Sequence, residues 1–115
     1  MTKMNPEIKA RWVAALRSGR YQQGQGFLNK DGALCCLGVL CDLYDPDAWV
    51  ATGDGVAHMN DSVSFPPMEV NEWAGFDAMP DEIEVSINGC TQGLADHNDS
   101  GRTFLEIADA IEEQL

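Results

Sequence analysis

The segment from residue 33 to residue 44 constrains the fold more than any other part of the chain. Its apolar positions fall on nearly every side of a helix, which is the pattern of a helix buried at the centre of a small domain. These positions are Leu34, Leu37, Leu40, Cys41 and Tyr44. Gly38 lies in the middle of the segment, where glycine costs about 1 kcal/mol relative to alanine. We therefore expect Gly38 to admit the close approach of another backbone.

Two amphipathic helices are predicted near the two ends of the sequence. The first runs from about residue 6 to residue 18, because Asn5 can cap it and Pro6 fits its first turn. The last runs from residue 104 to residue 114 and begins with a capping box formed by Thr103 and Glu106. A shorter helix is expected from residue 66 to residue 73.

Strands are expected near residues 21–28, 48–59 and 82–87, because these segments are bounded by turn signals rich in glycine and asparagine. The pattern predicts an α+β fold in which three main helices pack on a small, mostly antiparallel sheet. The length of 115 residues fits a single globular domain over residues 1–115. Seven residues are expected in the core: Trp12, Leu37, Leu40, Val85, Phe104, Ile107 and Ile111.

The cysteines and histidines do not form a recognisable metal site. Cys35, Cys36 and Cys41 lie within one apolar run and Cys90 is distant, so the Cys-x-x-Cys hooks of zinc sites are missing. We expect no metal and no cofactor, and we interpret the thiols as small buried groups in a reducing compartment. His58 and His97 are expected in solvated loops.

The charge is strongly asymmetric along the chain. Residues 1–30 contain six basic residues and one acid, whereas residues 31–115 contain one basic residue and eighteen acids. Such an acidic body repels nucleic acid and acidic membranes and is attracted to basic surfaces. Lys9, Arg11 and Arg17 on the first helix are interpreted as counter-charges to this body, with a nucleic-acid contact as the alternative. With no apolar run of about 20 residues and no signal-peptide pattern, we expect a cytoplasmic protein.

A candidate partner-binding surface follows from acidic residues that alternate with apolar ones or lie opposite them. It consists of Glu82, Glu84, Asp109, Glu112 and Glu113, with Trp73 as a candidate aromatic anchor. Charge of this kind also serves solubility alone, and Trp73 could instead belong to the core. The predicted partner is a host protein with a basic surface.

A second candidate site is a polar cleft that could hold a ligand. Its predicted members are Gln23, Gln25, Asp42, Asn98, Asp99 and Arg102. Asn98 and Asp99 precede a glycine turn, where such side chains commonly bond to neighbouring backbone amides, so a purely structural role is the alternative. Asp42 is expected either to bond to Trp12 or a loop backbone, or to line this cleft.

The segment 35–42, CCLGVLCD, and the ending 98–108, NDSGRTFLEIA, together resemble a family of small uncharacterised bacteriophage proteins. Members of that family pair a CCLGVLCDL-like segment with an NDSGKTFxEIAxxIE-like C-terminus. The resemblance covers both ends of the chain and is weak over residues 45–90. It implies a virus-encoded accessory protein made inside a bacterium, and it brings no established catalytic residues.

Three functions from different classes are compatible with the sequence. The leading one is a non-enzymatic phage protein that binds and modulates a bacterial host protein, in host takeover or counter-defence. The alternative is a small-molecule binder that sequesters a nucleotide-type immune signal, for which Arg102 beside the helix start at Thr103 is the main phosphate-binding candidate. An enzyme is disfavoured, because no spacing in the sequence brings a nucleophile and a base together.

Overall fold

The computed structural model of the chain describes residues 4–51, 53–60, 62–63, 65–76 and 84–115. The helices in these residues are α1 (Pro6–Arg17), α2 (Cys36–Tyr44), α3 (Met68–Ala74), α4 (Leu94–Asp99) and α5 (Phe104–Gln114). The strands are β1 (Gln22–Gln23), β2 (Asn29–Lys30), β3 (Ala33–Leu34), β4 (Val50–Ala51), β5 (Val56–His58), β6 (Glu84–Ile87) and β7 (Cys90–Gly93). The expected α+β class is confirmed.

The strands of the described residues form two sheets rather than the one that we expected. The larger has the order β1-β3-β2-β5-β4, in which only the β1–β3 pair is parallel. The smaller is the antiparallel β6–β7 hairpin. Its turn is made by Asn88 and Gly89, whose φ values of 53° and 82° send the chain straight back. The strand predicted near residues 82–87 pairs with β7 and has the Gln114 side chain bonded to its backbone at Ser86, and it does not join the larger sheet.

The single strand predicted over residues 21–28 is also wrong in detail. Only Gln22–Gln23 is extended and paired, and the next strand begins at Asn29. The turn through Asp31 and Gly32 has positive φ at both residues, 52° and 84°, and joins β2 to β3 as a hairpin. The glycines of the intervening segment therefore form a loop, which later proves important for the candidate site.

The helix α2 occupies the centre of the molecule, and it starts later than residue 33. Residues 33–34 pair as β3, and Cys35 caps the helix by accepting a hydrogen bond from the Gly38 N–H at 3.4 Å. The backbone of Leu28 crosses α2 at Gly38, where an added Cβ would overlap the Leu28 carbonyl oxygen and lie 2.9 Å from its carbonyl carbon. The predicted close approach at Gly38 is confirmed.

The remaining helices pack around α2. The helix α1 lies against α5 and α2, and the side chain of its Trp12 donates to the carbonyl of Cys36 at 2.9 Å. The capping box of Thr103 and Glu106 is present at the start of α5, as predicted. All seven residues expected in the core are buried within one hydrophobic cluster.

The expectation of three main helices is incomplete. The short α3 ends at Gly75, whose φ of 86° is the left-handed stop that the sequence indicated. The helix α4, in contrast, was not predicted. It follows β7 without a side-chain cap at Gly93, so the usual start signal is missing. Within the described residues, no helix is long and apolar enough to cross a membrane.

Candidate functional site

A groove between β6 and α5 is lined by two of the five predicted acidic residues, Asp109 and Glu113. Its volume is about 220 Å³. Both elements contribute polar residues to its lining, which includes Ser86, Asn88, Glu106, Asp109, Glu113 and Gln114. Glu84 is exposed on β6, on the same face of the strand as Ser86. We refer to this groove, together with Glu84, as the acidic groove.

Two of the predicted acidic residues are paired with a cation of α1. The guanidinium of Arg17 donates from Nη2 to Asp109 Oδ1 at 2.6 Å and from Nη1 to Glu112 Oε2 at 2.9 Å. These hydrogen bonds, chiefly the one to Glu112, raise the pKa of Arg17. The interpretation of Arg17 as a counter-charge is confirmed. Glu84 and Glu113, in contrast, have no ion pair with any described residue.

The side chain of Gln114 closes the β6 side of the acidic groove. Its Oε1 accepts from the Ser86 N–H and its Nε2 donates to the Ser86 carbonyl, both at 2.8 Å. The amide thereby takes the place of a neighbouring strand along the free edge of β6. Sequence analysis missed Gln114, because a glutamine at the end of a helix gives no local signal of a partner 28 positions away.

Trp73 and Glu112, which were also predicted to bind a partner, do not line the acidic groove. Trp73 lies on α3 and is half-buried, with its ring edge-on to Tyr44 at a centroid distance of 5.3 Å. The guanidinium of Arg11 lies 5.8 Å from the centre of the Trp73 ring. Trp73 is therefore held by intramolecular contacts on two sides. Glu82 lies outside the described residues.

The predicted polar cleft is built around the buried side chain of Asn98. Its Oδ1 accepts from Gln23 Nε2 at 2.9 Å and from the Cys36 N–H at 3.1 Å, and its Nδ2 donates to the Gly24 carbonyl at 2.7 Å. These bonds join the loop after β1, the start of α2, and α4. We refer to Gln23, Gly24, Cys36 and Asn98 as the amide cluster. Its contacts favour the structural interpretation of Asn98.

A shallow cavity of about 360 Å³ opens beside the amide cluster. It is lined by Gln23, Gly24, Gln25 and Gly101. Asp99 does not line this cavity, since its Oδ1 accepts from the Gly26 N–H at 2.9 Å and fixes the loop. The Gln25 side chain donates to the Asn98 carbonyl at 3.4 Å. The polar groups predicted to bind a ligand are thus largely bonded to one another.

The start of α5 offers few free N–H groups to a phosphate. The Phe104 N–H donates to Gln23 Oε1 at 3.1 Å, and the Glu106 N–H donates to Thr103 Oγ1 at 3.2 Å. Arg102 lies 3.6 Å from the carboxylate of Glu106. The contacts at this helix start therefore do not favour Arg102 as a phosphate-binding residue.

Asp42 lies apart from the amide cluster. Its carboxylate accepts from the Tyr21 hydroxyl at 2.9 Å and from Trp49 Nε1 at 3.1 Å. Burial, and then this bond to Asp42, raise the pKa of Tyr21. The expectation that Asp42 bonds to Trp12 or lines a cleft with Gln23 is wrong. Asp42 lies near the end of α2, whereas the amide cluster lies at the start of that helix.

The expectation of two solvated loop histidines is wrong. His97 is fully buried on α4, with Nε2 2.6 Å from the Val85 carbonyl and Nδ1 3.2 Å from Gln92 Nε2. A carbonyl requires a donor, so Nε2 carries the proton and Nδ1 accepts from Gln92. His97 thus joins α4 to β6, and neither ring nitrogen faces a described nucleophile. His58 lies in β5 and is half-buried.

Three of the four thiols are buried and unreactive. Burial raises the pKa of Cys35 to about 11, and it also raises the pKa values of Cys36 and Cys41. Cys90 is exposed in β7. Within the described residues, no group of three or more histidine, cysteine, aspartate or glutamate residues is arranged to hold a metal ion.

The buried thiols predict a loss of stability in alkaline solution. A thiol whose pKa is raised on folding ionises first in the unfolded chain, so its stabilisation is present below pH 9 and is lost towards pH 11. We expect the free energy of unfolding to fall above pH 9 by about 1.4 kcal/mol per pH unit for each such thiol. Urea unfolding at several pH values, under reducing conditions, measures this slope.

Two variants test whether the buried thiols cause the fall in the free energy of unfolding above pH 9. Cys35→Ser removes one buried thiol and should make the slope shallower, whereas Cys90→Ser removes the exposed one and should leave it unchanged. A free energy of unfolding that stays constant between pH 8 and pH 10 would contradict the burial of the three thiols.

Comparison with known proteins gives one match. A family profile described as "Domain of unknown function (DUF8296)" matches residues 4–115. No curated protein and no solved structure matches the chain. The matched region includes both the acidic groove and the amide cluster.

Proposed function

The chain belongs to the family described as domain of unknown function DUF8296, and on that premise we propose that it is a non-catalytic, bacteriophage-encoded accessory protein. It binds a basic surface of a bacterial host protein through the acidic groove, and it thereby modulates that protein for host takeover or counter-defence. One observation carries this proposal. Glu113 in the wall of the groove and Glu84 on the Ser86 face of β6 are exposed and have no cationic partner among the described residues.

Electrostatics supports a protein partner for this groove. The net charge of −12 repels nucleic acid, while it speeds the approach of a basic protein surface. The groove also has fixed hydrogen-bonding groups, because Gln114 and the backbone of Ser86 hold each other in place. The resemblance of segments 35–42 and 98–108 to phage proteins supports the viral origin and the bacterial setting.

The proposal predicts that two carboxylates control binding. In the variant Glu84→Gln/Glu113→Gln, we expect the affinity for the captured host protein to fall about ten-fold at low salt, mainly through a slower association. The partner is captured from bacterial lysate, purified, and titrated by surface plasmon resonance at about 50 and 500 mM salt. Folding should be nearly unchanged, because exposed substitutions usually alter stability by about 0.5 kcal/mol or less.

A matched control distinguishes binding through the acidic groove from a general effect of net charge. Asp47→Asn/Glu72→Gln also removes two exposed carboxylates, but neither residue lines the groove. If both double variants weaken binding equally, general charge drives association and the groove is not the site. If the folded groove variant binds as tightly as the original chain, recognition lies elsewhere.

A further inference from the structure

A second groove, of opposite character, lies along α1 on the other side of α5. Its volume is about 490 Å³. Its floor is made by the small and apolar side chains of Ala10, Val13 and Ala14, and Lys9 and Arg17 stand at its edges. Glu112 of α5 forms part of one wall. We refer to this as the α1 groove.

The residues of α1 that line this groove recur at the spacing of a helix–helix contact. Pro6, Ala10, Val13 and Arg17 recur at intervals of four, three and four residues, as positions that face a second helix do. Ala10 and Ala14 are both exposed. Because alanine is short, a helix lying in this groove could approach the backbone of α1 closely.

Not every cation beside this groove has an ion pair with a described residue. Arg17 is paired with Asp109 and Glu112, but Lys9 and Arg11 have no ion pair with a described residue. Arg11 instead stacks on the Trp73 ring. The interpretation of the basic face as internal counter-charge is therefore confirmed for Arg17, and it stays a prediction for Lys9 and Arg11. Lys9 and Arg11 are thus two cations without an ion pair to a described residue, in a chain that is otherwise strongly acidic.

A further depression continues this surface on the other side of Ala14. Its volume is about 350 Å³, and Arg11, Ala15, Arg20 and Leu43 contribute to its lining. The exposed ridge of α1 is therefore flanked by apolar floors on both sides, each with a cation at its edge. An amphipathic helix with a narrow apolar stripe and acidic flanks complements this arrangement.

We propose that the α1 groove binds an acidic amphipathic α-helix of a partner protein. Its apolar stripe packs on Ala10, Val13 and Ala14, and its carboxylates pair with Lys9 and Arg11. The partner is a protein helix rather than nucleic acid, because the floor of Ala10, Val13 and Ala14 is apolar and suits an apolar helix stripe, not a phosphate backbone. This site differs from the acidic groove in position and sign, so either one can fail without the other.

Two synthetic peptides test the inference by fluorescence anisotropy. Both are about 18 residues long and carry leucine and alanine at alternating intervals of three and four, a length that gives a helix of about five turns. One carries glutamate at its remaining positions and the other carries lysine. We expect the glutamate peptide to bind the full chain, with a Kd that rises at least ten-fold between about 50 and 500 mM salt.

Three variants locate the binding of the peptide. Ala14→Trp fills the groove from an exposed position and Lys9→Glu reverses a free cation, so each should weaken binding at least ten-fold. Lys30→Glu reverses an exposed cation on β2, outside the groove, and should leave the Kd nearly unchanged. The Glu84→Gln/Glu113→Gln variant of the acidic groove should also bind the peptide normally. Thermal unfolding of each variant confirms that it is folded.

Several results would overturn the inference. They are the absence of binding by the glutamate peptide, equal binding of the lysine peptide, and a Kd that Ala14→Trp leaves unchanged. Sedimentation velocity of the chain alone provides the remaining test. If the chain dimerises and Ala14→Trp abolishes the dimer, the occupant of the α1 groove is a second copy and the acidic partner helix is wrong.

Discussion

Replacing Asn98 with alanine is expected to lower the free energy of unfolding by about 3 to 5 kcal/mol, because each buried polar group left unpaired costs about 1 to 3 kcal/mol. The Asn98 amide is fully buried and satisfies the Cys36 N–H, the Gly24 carbonyl and the Gln23 amide. Alanine provides none of these hydrogen-bonding partners. Urea unfolding followed by circular dichroism measures the difference.

Asp99 provides a neighbouring control for this prediction. Asp99→Ala removes an exposed carboxylate whose Oδ1 accepts from the Gly26 N–H at 2.9 Å and, at 3.4 Å, from Asn98 Nδ2, so we expect a loss of about 1 kcal/mol or less. Asn98→Asp keeps the acceptor but replaces the donor to Gly24, so it should also destabilise the fold strongly. A loss below 1 kcal/mol for Asn98→Ala would show that the amide cluster does not hold the three elements together.

Replacing Gly38 with alanine is expected to reverse the usual effect of that substitution in a helix. In an open helix, alanine stabilises by about 1 kcal/mol relative to glycine. At Gly38 the new methyl group would overlap the carbonyl of Leu28, so α2 and the crossing backbone must separate. We expect a loss of at least about 3 kcal/mol, comparable to a severe overpacking of the core, or failure to fold.

Gly89 separates this steric effect from backbone strain. It has a φ of 82° with open space around its Cβ position, so Gly89→Ala should cost only the conformational strain of about 1 to 2 kcal/mol. The two variants are compared by thermal and urea unfolding. If Gly38→Ala is the milder of the two, the backbones of Leu28 and α2 do not meet as described.

The substitutions of Asn98 and Gly38 test the stability of the scaffold, whereas the two grooves are proposed binding sites. The amide cluster and Gly38 lie around α2, whereas the acidic groove and the α1 groove lie on the two sides of α5. Substitutions such as Glu113→Gln and Ala14→Trp act on exposed positions and should leave the scaffold intact. Stability and partner binding can therefore be changed separately in this protein.

Local patterns in the sequence predicted the elements whose signals lie within one or two turns of the chain. The buried α2, the capping box of α5 and the stop at Gly75 all follow from side chains close in sequence. The close approach at Gly38 was also predictable, because a glycine that weakens a buried helix needs a packing reason. The acidic surface followed from alternation with apolar positions, and Glu84 and Glu113 lie where that reasoning placed them.

Contacts between distant parts of the chain decided the rest. Arg17 is paired with residues 92 and 95 positions away, and Asn98 with Cys36 at a separation of 62. Likewise, the burial of His97 depends on the β6 carbonyl that it meets in three dimensions. The sequence by itself determined the predicted apolar core positions and the starts of α1 and α5, because those depend on local spacing and capping residues. Only the tertiary structure decided which polar groups are satisfied internally and which, such as Lys9 and Glu113, have no ion pair within the described part of the chain.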